Sequence, residues 1–304
     1  MKGLVTKSTG SWHTVLAEEK KYDCRIRGKL RLEEIKETNP VTVGDLVEFE
    51  IEEGSHAITK ILPRKNQLLR QSVKKAGHSN LLATNIDQAI LIATLHQPRT
   101  SMGFIDRFSV SAEAYRIPQV LIFNKMDLLN LEEIQWVETL KQQYTKIGVT
   151  VIALSALKKD GVEKMKAYLT GKISLLTGHS GAGKSTLLNK LSPEISQPTG
   201  TISDFSERGK HTTTFAELFA LDEKTFVIDT PGIKEWGLVD MAPQEISDYF
   251  PEMRDLRLQC KFGSKCLHLQ EPGCAVRAAV EIGAIAASRF NSYVSMVEAK
   301  DNRK

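Results

Sequence analysis

The chain has 304 residues, a formal net charge of +4 and 41% hydrophobic residues, and this length fits about two domains. No segment approaches the roughly eighteen apolar residues of a membrane span, and the first residues lack the apolar run of a secretory signal, so we expect a cytoplasmic protein without a membrane partner. Because the charge is nearly balanced, any affinity for nucleic acid has to come from local basic surfaces.

Residues 1 to about 65 alternate short β-type runs with turn residues such as the pairs Thr9-Gly10 and Gly44-Asp45. This spacing predicts a small barrel that resembles an OB fold, which we assign to a domain of residues 1–70. The predicted strands are 11–17, 22–32, 46–51 and 57–62.

Four cations in the second of these strands, Arg25, Arg27, Lys29 and Arg31, alternate with small or apolar residues. Successive side chains on a strand point to opposite faces, so all four would leave the same face and could follow an RNA phosphate backbone. The alternative is a solvated face whose charge is balanced by nearby glutamates. Arginines and lysines between residues 64 and 75 favour nucleic-acid binding.

Residues 80–240 alternate apolar runs with helical segments, which is typical of a parallel sheet with crossover helices. We assign an α/β nucleotide-binding domain to residues 71–238 and a mainly helical third domain to residues 239–304, with one helix over 275–297. The predicted central strands are 88–95, 119–123, 149–154, 173–177, 215–221 and 225–228, and the predicted helices are 104–115, 131–144, 161–169 and 184–191.

A glycine-rich sequence follows the strand at 173–177 and leads into a helix, which is the context of a phosphate-binding loop. Its backbone N–H groups would cradle phosphates, Lys184 would contact the β- and γ-phosphates, and the Ser185 hydroxyl would bind Mg²⁺. A glycine-rich turn without a ligand is the alternative. The predicted contacts are Gly178, Ser180, Gly181, Ala182, Gly183, Lys184, Ser185 and Thr186.

A second motif, Asn-Lys-Met-Asp, ends the strand at 119–123 and places a carboxylate at the edge where nucleotides bind. An ionised carboxylate only accepts hydrogen bonds, and guanine presents two adjacent donors that adenine lacks, so Asp127 predicts selection of GTP. A surface turn is the alternative for the motif alone, but a helix and a strand later a Ser-Ala pair follows at a compatible spacing. The residues predicted to contact the base are Asn124, Lys125, Asp127, Ser155 and Ala156.

The strand at 225–228 leads into Asp229, Thr230, Pro231 and Gly232. Asp229 would hold the Mg²⁺ shell, and the Gly232 N–H would meet the γ-phosphate. A simple β-turn is the alternative.

The segment before the strand at 215–221 is the candidate switch I. One of its threonines should reach Mg²⁺, with Thr213 preferred over Thr214 although spacing alone cannot separate them. Ile233 stands where a water-orienting side chain is needed and cannot form a hydrogen bond, so His211 is the candidate for that role. An ordinary loop histidine is the alternative. We expect slow hydrolysis until a partner orders this segment.

Three of the four cysteines lie with one histidine in a fifteen-residue stretch. Three thiolates and one imidazole complete a tetrahedral Zn²⁺ site, so we predict one structural zinc ion per chain without a catalytic role. Unrelated reduced thiols are the alternative, and Cys24 is predicted to be a small buried hydrophobe. The predicted zinc ligands are Cys260, Cys266, His268 and Cys274.

The nucleotide motifs occur in a rotated order, because the base-reading motif precedes the phosphate loop. Such a permutation disturbs a fold little, since domain termini commonly lie close together on the surface. With the N-terminal barrel and the cysteine cluster, these motifs closely resemble the RsgA family, also called YjeQ or YloQ, of circularly permuted bacterial ribosome-biogenesis GTPases. The resemblance spans essentially the whole chain, and one departure is Lys210, where the family commonly has arginine.

The resemblance implies an OB domain, a permuted GTPase domain and a zinc domain. It implies binding to the small (30S) ribosomal subunit and its 16S rRNA late in assembly, with GTP hydrolysis to GDP and phosphate stimulated by the subunit. It also implies that the switch I histidine, here His211, is catalytic. Because the strand at 225–228 continues into the third domain, nucleotide state could bias the orientation of that domain.

We expect this GTPase to be a monomer, and three other functions are alternatives to it. A scaffold that binds GTP and barely hydrolyses it would be consistent with Ile233. An ATP-using enzyme would leave Asp127 without a purpose. A GTP-dependent metal-insertion factor conflicts with a four-ligand site, which binds zinc too firmly for release.

Overall fold

The computed structural model describes residues 1–28, 40–51, 56–71, 79–192, 216–239 and 241–298. The N-terminal strands follow the order β1-β2-β3-β5-β4, and β4 pairs back onto β1 to close a barrel. This five-stranded connectivity matches the predicted OB-like barrel. The strands are β1 (Lys2–Ser8), β2 (His13–Ala17), β3 (Lys20–Ile26), β4 (Leu46–Glu50) and β5 (His56–Ile61).

Strand β1 was missed by the sequence analysis. Its buried positions include the small residues Gly3, Thr6 and Ser8, so the strand lacks a strong apolar alternation. Gly3 is required by close approach, because a Cβ atom there would lie 2.4 Å from the Val15 Cγ1 atom. Cys24 is fully buried in the barrel core as predicted, and burial, with the nearby Asp23 carboxylate, raises the pKa of its thiol to about 11.

An unpredicted hairpin of β6 (Gln67–Gln71) and β7 (Ser79–Thr84) lies between the barrel and the central sheet. Three linker cations, Arg64, Lys65 and Arg70, are engaged within the chain, which weakens their predicted role in RNA binding, while Lys74 and Lys75 lie outside the described residues. Arg64 forms a bidentate ion pair with the buried Asp45 at 2.8 and 2.9 Å, and Lys65 pairs with Asp87 at 2.9 Å. Arg70 donates to the carbonyl of Glu235 at 3.2 Å.

The central sheet has the order β10-β9-β8-β11-β13-β12, in which β12 alone is antiparallel to its neighbour. Its six strands agree with the number predicted. The sheet continues into the barrel where β12 pairs with β1, and an ion pair of 3.0 Å joins Lys7 to Glu217. The strands are β8 (Gln88–Ala93), β9 (Gln119–Phe123), β10 (Thr150–Ala153), β11 (Ile173–Gly178), β12 (Glu217–Ala220) and β13 (Phe226–Asp229).

Helices cover both faces of this sheet. The first two pack through Phe104, Phe108 and Tyr144 into one core cluster, and the next two pack through Met165 and Leu187 into a second cluster on the opposite face. This three-layer arrangement suits a parallel sheet that is buried on both faces. The helices are α1 (Met102–Ala114), α2 (Leu131–Lys146), α3 (Lys159–Leu169) and α4 (Lys184–Leu191).

The C-terminal region contains α5 (Pro251–Arg254), α6 (Ala275–Glu281) and α7 (Ala287–Val297), and no strand among its described residues 241–298. The single helix predicted over 275–297 was wrong. The helix is interrupted at Gly283, whose φ of +74° lies in the left-handed region that ends helices. Across the described part of the chain, no helix has the length and hydropathy to span a membrane.

Candidate nucleotide site and metal centre

Three sequence motifs meet at one edge of the central sheet. Asn124 follows β9, the phosphate loop follows β11, and Asp229 ends β13. Because β8, β9, β11 and β13 are parallel, their carboxyl ends lie at the same edge, where ligands of open α/β sheets bind. The base-reading and phosphate-binding motifs therefore share one rim.

The Asn124 side chain connects these motifs directly. Its Nδ2 atom donates to the Ala182 carbonyl at 2.8 Å, and its Oδ1 atom accepts from the Ala156 N–H at 2.9 Å. A Cβ atom on Gly183 would lie 2.2 Å from the Asn124 Nδ2 atom, and Gly183 has a φ of +95°, so only glycine fits this position. One buried amide thus fixes the phosphate loop relative to the Ser-Ala turn.

The phosphate end of the edge contains a buried ion pair. The Lys184 Nζ atom donates to the Asp229 Oδ1 atom at 2.5 Å, and the Asp229 side chain is fully buried. Burial raises the pKa of Asp229 although the Lys184 ammonium lowers it. The Asp229 Oδ2 atom is buried without a hydrogen-bond partner among the described residues. A carboxylate oxygen with free lone pairs suits the coordination shell of Mg²⁺.

At the base end, Asp127 is exposed within the short turn Met126–Leu128 and forms no hydrogen bond to another described residue. Lys125 precedes it in the left-handed region with a φ of +63°, and its Nζ atom donates to the Gln97 carbonyl. Ser155 is buried, and its Oγ atom accepts from the Leu157 N–H at 3.3 Å. The carboxylate is therefore open to a ligand while its surroundings are fixed.

The segment after Asp229 is attached to the phosphate loop. The Ile233 N–H donates to the Gly178 carbonyl at 3.1 Å, and the His179 Nδ1 atom lies 2.7 Å from the Ile233 carbonyl. Since a carbonyl only accepts, this nitrogen carries the proton, and burial lowers the pKa of His179 despite that bond. A Cβ atom on Gly232 would lie 3.0 Å from backbone atoms of Ser180. This segment therefore lies directly against the loop.

The Ile233 side chain is 4% exposed and belongs to the main core cluster, so it is unavailable for chemistry, as its residue type predicts. Three residues further on, the buried Trp236 donates from Nε1 to the Ser111 hydroxyl at 2.8 Å. Its ring packs edge-on against Phe104 and Phe108 of α1, with centroids 6.0 and 5.2 Å away. This contact was not predicted from the sequence, although two phenylalanines spaced i,i+4 could have indicated an aromatic partner.

Two protein-family models match this chain and together cover its barrel and its central sheet. Residues 61–239 match the model of the RsgA GTPase family, and residues 2–59 match the model of the RsgA N-terminal domain. The chain belongs to the RsgA GTPase family. It is accordingly a GTP hydrolase.

Relatives of high identity span the whole chain. Small ribosomal subunit biogenesis GTPase RsgA of Flavobacterium johnsoniae is 48% identical over 303 residues, which cover 98% of this chain and 93% of the relative. Small ribosomal subunit biogenesis GTPase RsgA 2 of Bacteroides thetaiotaomicron is 47% identical and is covered to 98%, with 100% of this chain aligned.

Two solved structures of the RsgA type share the architecture. YjeQ from Thermotoga maritima has a TM-score of 0.78 and 36% identity, with coverage of 100% of this chain and 99% of that chain. YloQ, a circularly permuted GTPase, has a TM-score of 0.73 and 30% identity, with coverage of 100% and 96%. The permutation predicted from the order of the motifs is confirmed.

The four predicted zinc ligands of this RsgA chain come together in the C-terminal domain. Their ligand atoms all lie within 4.8 Å of one another, and all four residues are buried. The His268 Nδ1 atom lies 3.3 Å from the Cys274 sulfur and 3.6 Å from the Cys260 sulfur. With Zn–S bonds of about 2.3 Å, tetrahedral ligands lie roughly 4 Å apart, so Cys260, Cys266, His268 and Cys274 form a potential zinc-binding site.

Surrounding groups fix this cluster. The Arg277 N–H at the start of α6 donates to the Cys274 sulfur at 3.4 Å, and Tyr293 donates to the Leu267 carbonyl at 2.7 Å. Burial and the neighbouring thiols raise the pKa of Cys266 to about 12, and burial lowers the pKa of His268. Thiols held this close need a bound dication to become thiolates, whereas the imidazole is already in its ligand form.

The C-terminal and GTPase domains of the RsgA fold meet at helix α1. The Arg289 guanidinium of α7 bonds to Asp106 at 2.6 Å and to Glu252 at 2.7 Å, and Tyr144 also donates to Asp106 at 2.6 Å. Arg289, Asp106 and Tyr144 are buried. Helix α1 therefore contacts both Trp236 and helix α7 of the C-terminal region.

Several predicted residues lie outside the described part of the chain. They comprise the candidate switch I and two of the four alternating cations predicted for the strand at 22–32. These residues are Lys29, Arg31, Lys210, His211, Thr213 and Thr214.

Proposed function

We propose that this GTPase binds the small (30S) ribosomal subunit and acts late in its assembly, with the subunit stimulating hydrolysis of GTP to GDP and phosphate. The observation that carries its nucleotide-binding part is the Asn124 amide, which fixes the phosphate loop to the Ser-Ala turn at 2.8 and 2.9 Å. The partner is supported by the relatives, which are named as small ribosomal subunit biogenesis GTPases.

The guanine base lies at Asp127, whose exposed carboxylate accepts from two adjacent base donors. Ala156 and Ser155 border the base from the neighbouring turn, and Lys125 lies beneath it. The phosphates lie in the loop that ends at Lys184, whose glycines expose successive backbone N–H groups. GDP occupies the same site after hydrolysis.

The hydroxyls of Ser185 and Thr213 and the carboxylate of Asp229 would hold Mg²⁺ with the nucleotide, and the ion would neutralise charge on the β- and γ-phosphates. On nucleotide binding, the Lys184 ammonium has to exchange Asp229 for phosphate oxygens. The short Lys184–Asp229 contact holds both groups close to where those charges are needed. The Gly232 N–H supplies a donor for the γ-phosphate.

His211 orients the attacking water. Two observations support this role: the Ile233 side chain is buried at 4% exposure, and His179 is bonded to the Ile233 carbonyl, so neither is available. A neutral imidazole can accept a proton from water at near-neutral pH. His211→Ala should abolish stimulated turnover while GTP affinity persists, and His211→Gln should retain part of it. Equal stimulated rates in the parent and His211→Ala would remove His211 from the mechanism.

Each of the three domains has a separate function. Residues 1–70 contact 16S rRNA through the basic face of β3, residues 71–238 hydrolyse GTP, and residues 239–304 are stabilised by one zinc ion. The chain acts as a monomer in the cytoplasm. The exposed Arg25 on β3 supports contact with phosphate, because it has no carboxylate partner among the described residues.

The decisive experiment is GTP turnover by the full-length chain, titrated with purified small subunits at several salt concentrations. Turnover should rise with added subunit, and the stimulation should fall steeply with salt because contacts to phosphate release counterions. Large subunits serve as the control and should have no effect. Turnover that small subunits leave unchanged at saturation would reject the proposal and favour a GTP-binding scaffold.

A further inference from the structure

The N-terminal barrel has a hollow of about 610 Å³ on the surface formed by β2, β3 and the start of β5. In OB folds, nucleic acids bind across strands 2 and 3 and the loops that join strands 1–2 and 4–5. The hollow lies in that position, since Trp12 belongs to the β1–β2 loop and His56 directly follows the β4–β5 loop. The side chains that matter here are Trp12, Thr14, Lys21, Tyr22, Asp23 and His56.

Aromatic rings in the hollow are held in place by their neighbours. Trp12 is 40% exposed, and the Arg25 guanidinium carbon stacks 4.1 Å from its ring centroid. The Tyr22 ring packs 5.2 Å from Phe49 and 5.3 Å from His56. The His56 Nδ1 atom is buried without a hydrogen-bond partner among the described residues. Such fixed rings offer stacking surface without a large loss of side-chain entropy.

The charges around the hollow favour a neutral ligand over an anionic one. Asp23 lines the hollow and accepts from the Thr14 hydroxyl at 3.0 Å, so a phosphate inside would be repelled. A carboxylate can instead accept from the amino and imino groups of a nucleobase. Lys21 and Arg25, on the same strand, have no carboxylate partner among the described residues, whereas Arg27 pairs with Glu50 at 2.8 Å.

We propose that this hollow binds one unpaired nucleobase of RNA, stacked against Trp12 and Tyr22, while Lys21 and Arg25 contact the adjoining phosphates. The assignment rests on the RNA-binding role proposed above for the barrel and names its base-contacting site. Stacking of this kind tolerates any base, because every base presents a π face. Bases in an RNA duplex are covered by their neighbours and cannot enter.

The test is a titration of the full-length chain with a short single-stranded RNA, followed by fluorescence anisotropy of a labelled end. A matched oligomer with abasic ribose at every position keeps the phosphates and removes the bases. Trp12→Ala should bind the RNA roughly tenfold more weakly, and Trp12→Phe should retain most of the affinity. Trp136→Ala is the matched control, because Trp136 is 47% exposed on α2, outside the barrel.

The abasic oligomer should bind the parent and Trp12→Ala equally, and the dependence on salt should be the same for both proteins, because stacking leaves the phosphate contacts intact. Parent affinities that are equal for the RNA and the abasic oligomer would overturn the assignment. So would equal losses in Trp12→Ala and Trp136→Ala. Thermal unfolding midpoints of the variants confirm that the barrel is folded.

Failure of this site and failure of the proposed function are distinguishable. If small subunits stimulate GTP turnover but Trp12→Ala binds RNA as the parent does, the base-binding site alone is rejected. If small subunits have no effect on the parent, the proposed function is rejected. The dependence on Trp12 in the oligomer titration then decides the base-binding site separately.

Discussion

The nucleotide edge and the cysteine cluster are built in opposite ways. At the nucleotide edge, strands of one sheet bring together residues that are distant in the sequence. Asn124 there forms hydrogen bonds with Ala182, 58 positions away, and with Ala156. The cluster takes all four ligands from fifteen consecutive residues, whose thiols and imidazole contact mainly one another. Hydrogen bonds within the protein therefore fix the groups of the nucleotide edge relative to one another, whereas closely packed thiolates require a bound cation to balance their charge.

Removal of zinc should have the largest effect, and it should affect the cysteine cluster far more than the nucleotide edge. Chelation, or Cys266→Ser, should remove stabilisation on the order of 10 kcal/mol from the C-terminal domain. Residues 241–298 should become sensitive to protease, while GTP affinity changes less than about tenfold, because the sheet positions that site. Limited proteolysis and nucleotide titration measure the two effects. Cys24→Ala, which alters a cysteine outside the cluster, is the control, and a protease-resistant zinc-free chain would contradict the prediction.

The contact between helix α1 and the C-terminal helices should be the next most sensitive point. Arg289→Met leaves Asp106 and Glu252 without their cation, and breaking a buried pair costs about 3–5 kcal/mol. Although burial lowers the pKa of Arg289, Asp106 and Glu252 raise it above its usual value, so the guanidinium stays charged. Urea unfolding measures the loss.

The matched control is Arg254→Met, which removes another ion pair from the same interface. The Arg254 side chain is 48% exposed where it pairs with Glu113, so its loss should cost no more than about 1 kcal/mol. Similar losses of unfolding free energy in Arg289→Met and Arg254→Met would show that burial does not make the Arg289 ion pairs more important than the Arg254 ion pair.

Base selection tests whether the edge works as one site. Asp127→Asn exchanges an acceptor for a donor, so GTP should bind roughly tenfold to a hundredfold more weakly, which is the effect of losing a hydrogen bond to a charged group. Xanthosine triphosphate should gain affinity, because it presents a carbonyl where guanine has an amino group. Asp160→Asn, an exposed change at the start of α3, is the control. Weakening of both nucleotides alike would contradict base recognition by Asp127.

The strands and helices that carry the nucleotide motifs were predicted well because each motif follows a continuous apolar strand. Strand β9 (Gln119–Phe123) and helix α4 (Lys184–Leu191) have the predicted bounds, since apolar runs and a glycine-rich start identify them locally. Strand β1 was missed because Gly3 and Thr6 give it little alternation, and its burial depends on Val15 of the next strand. The contacts of Trp236 and Arg289 with α1 also depend on tertiary packing, which no local pattern encodes.

Substitution of His179 should have the smallest effect on stability, and it tests one contact at the nucleotide edge directly. His179→Ala removes the bond to the Ile233 carbonyl, and losing one such hydrogen bond costs about 0.5–1.5 kcal/mol of unfolding free energy. Because Gly232 lies beside that bond, stimulated GTP turnover should fall more than stability does. His179→Gln, whose amide can still donate, should restore turnover, and His96→Ala, an exposed histidine paired with Glu133, should leave it unchanged. Equal turnover in His179→Ala and His179→Gln would mean that the position of Gly232 does not depend on this contact.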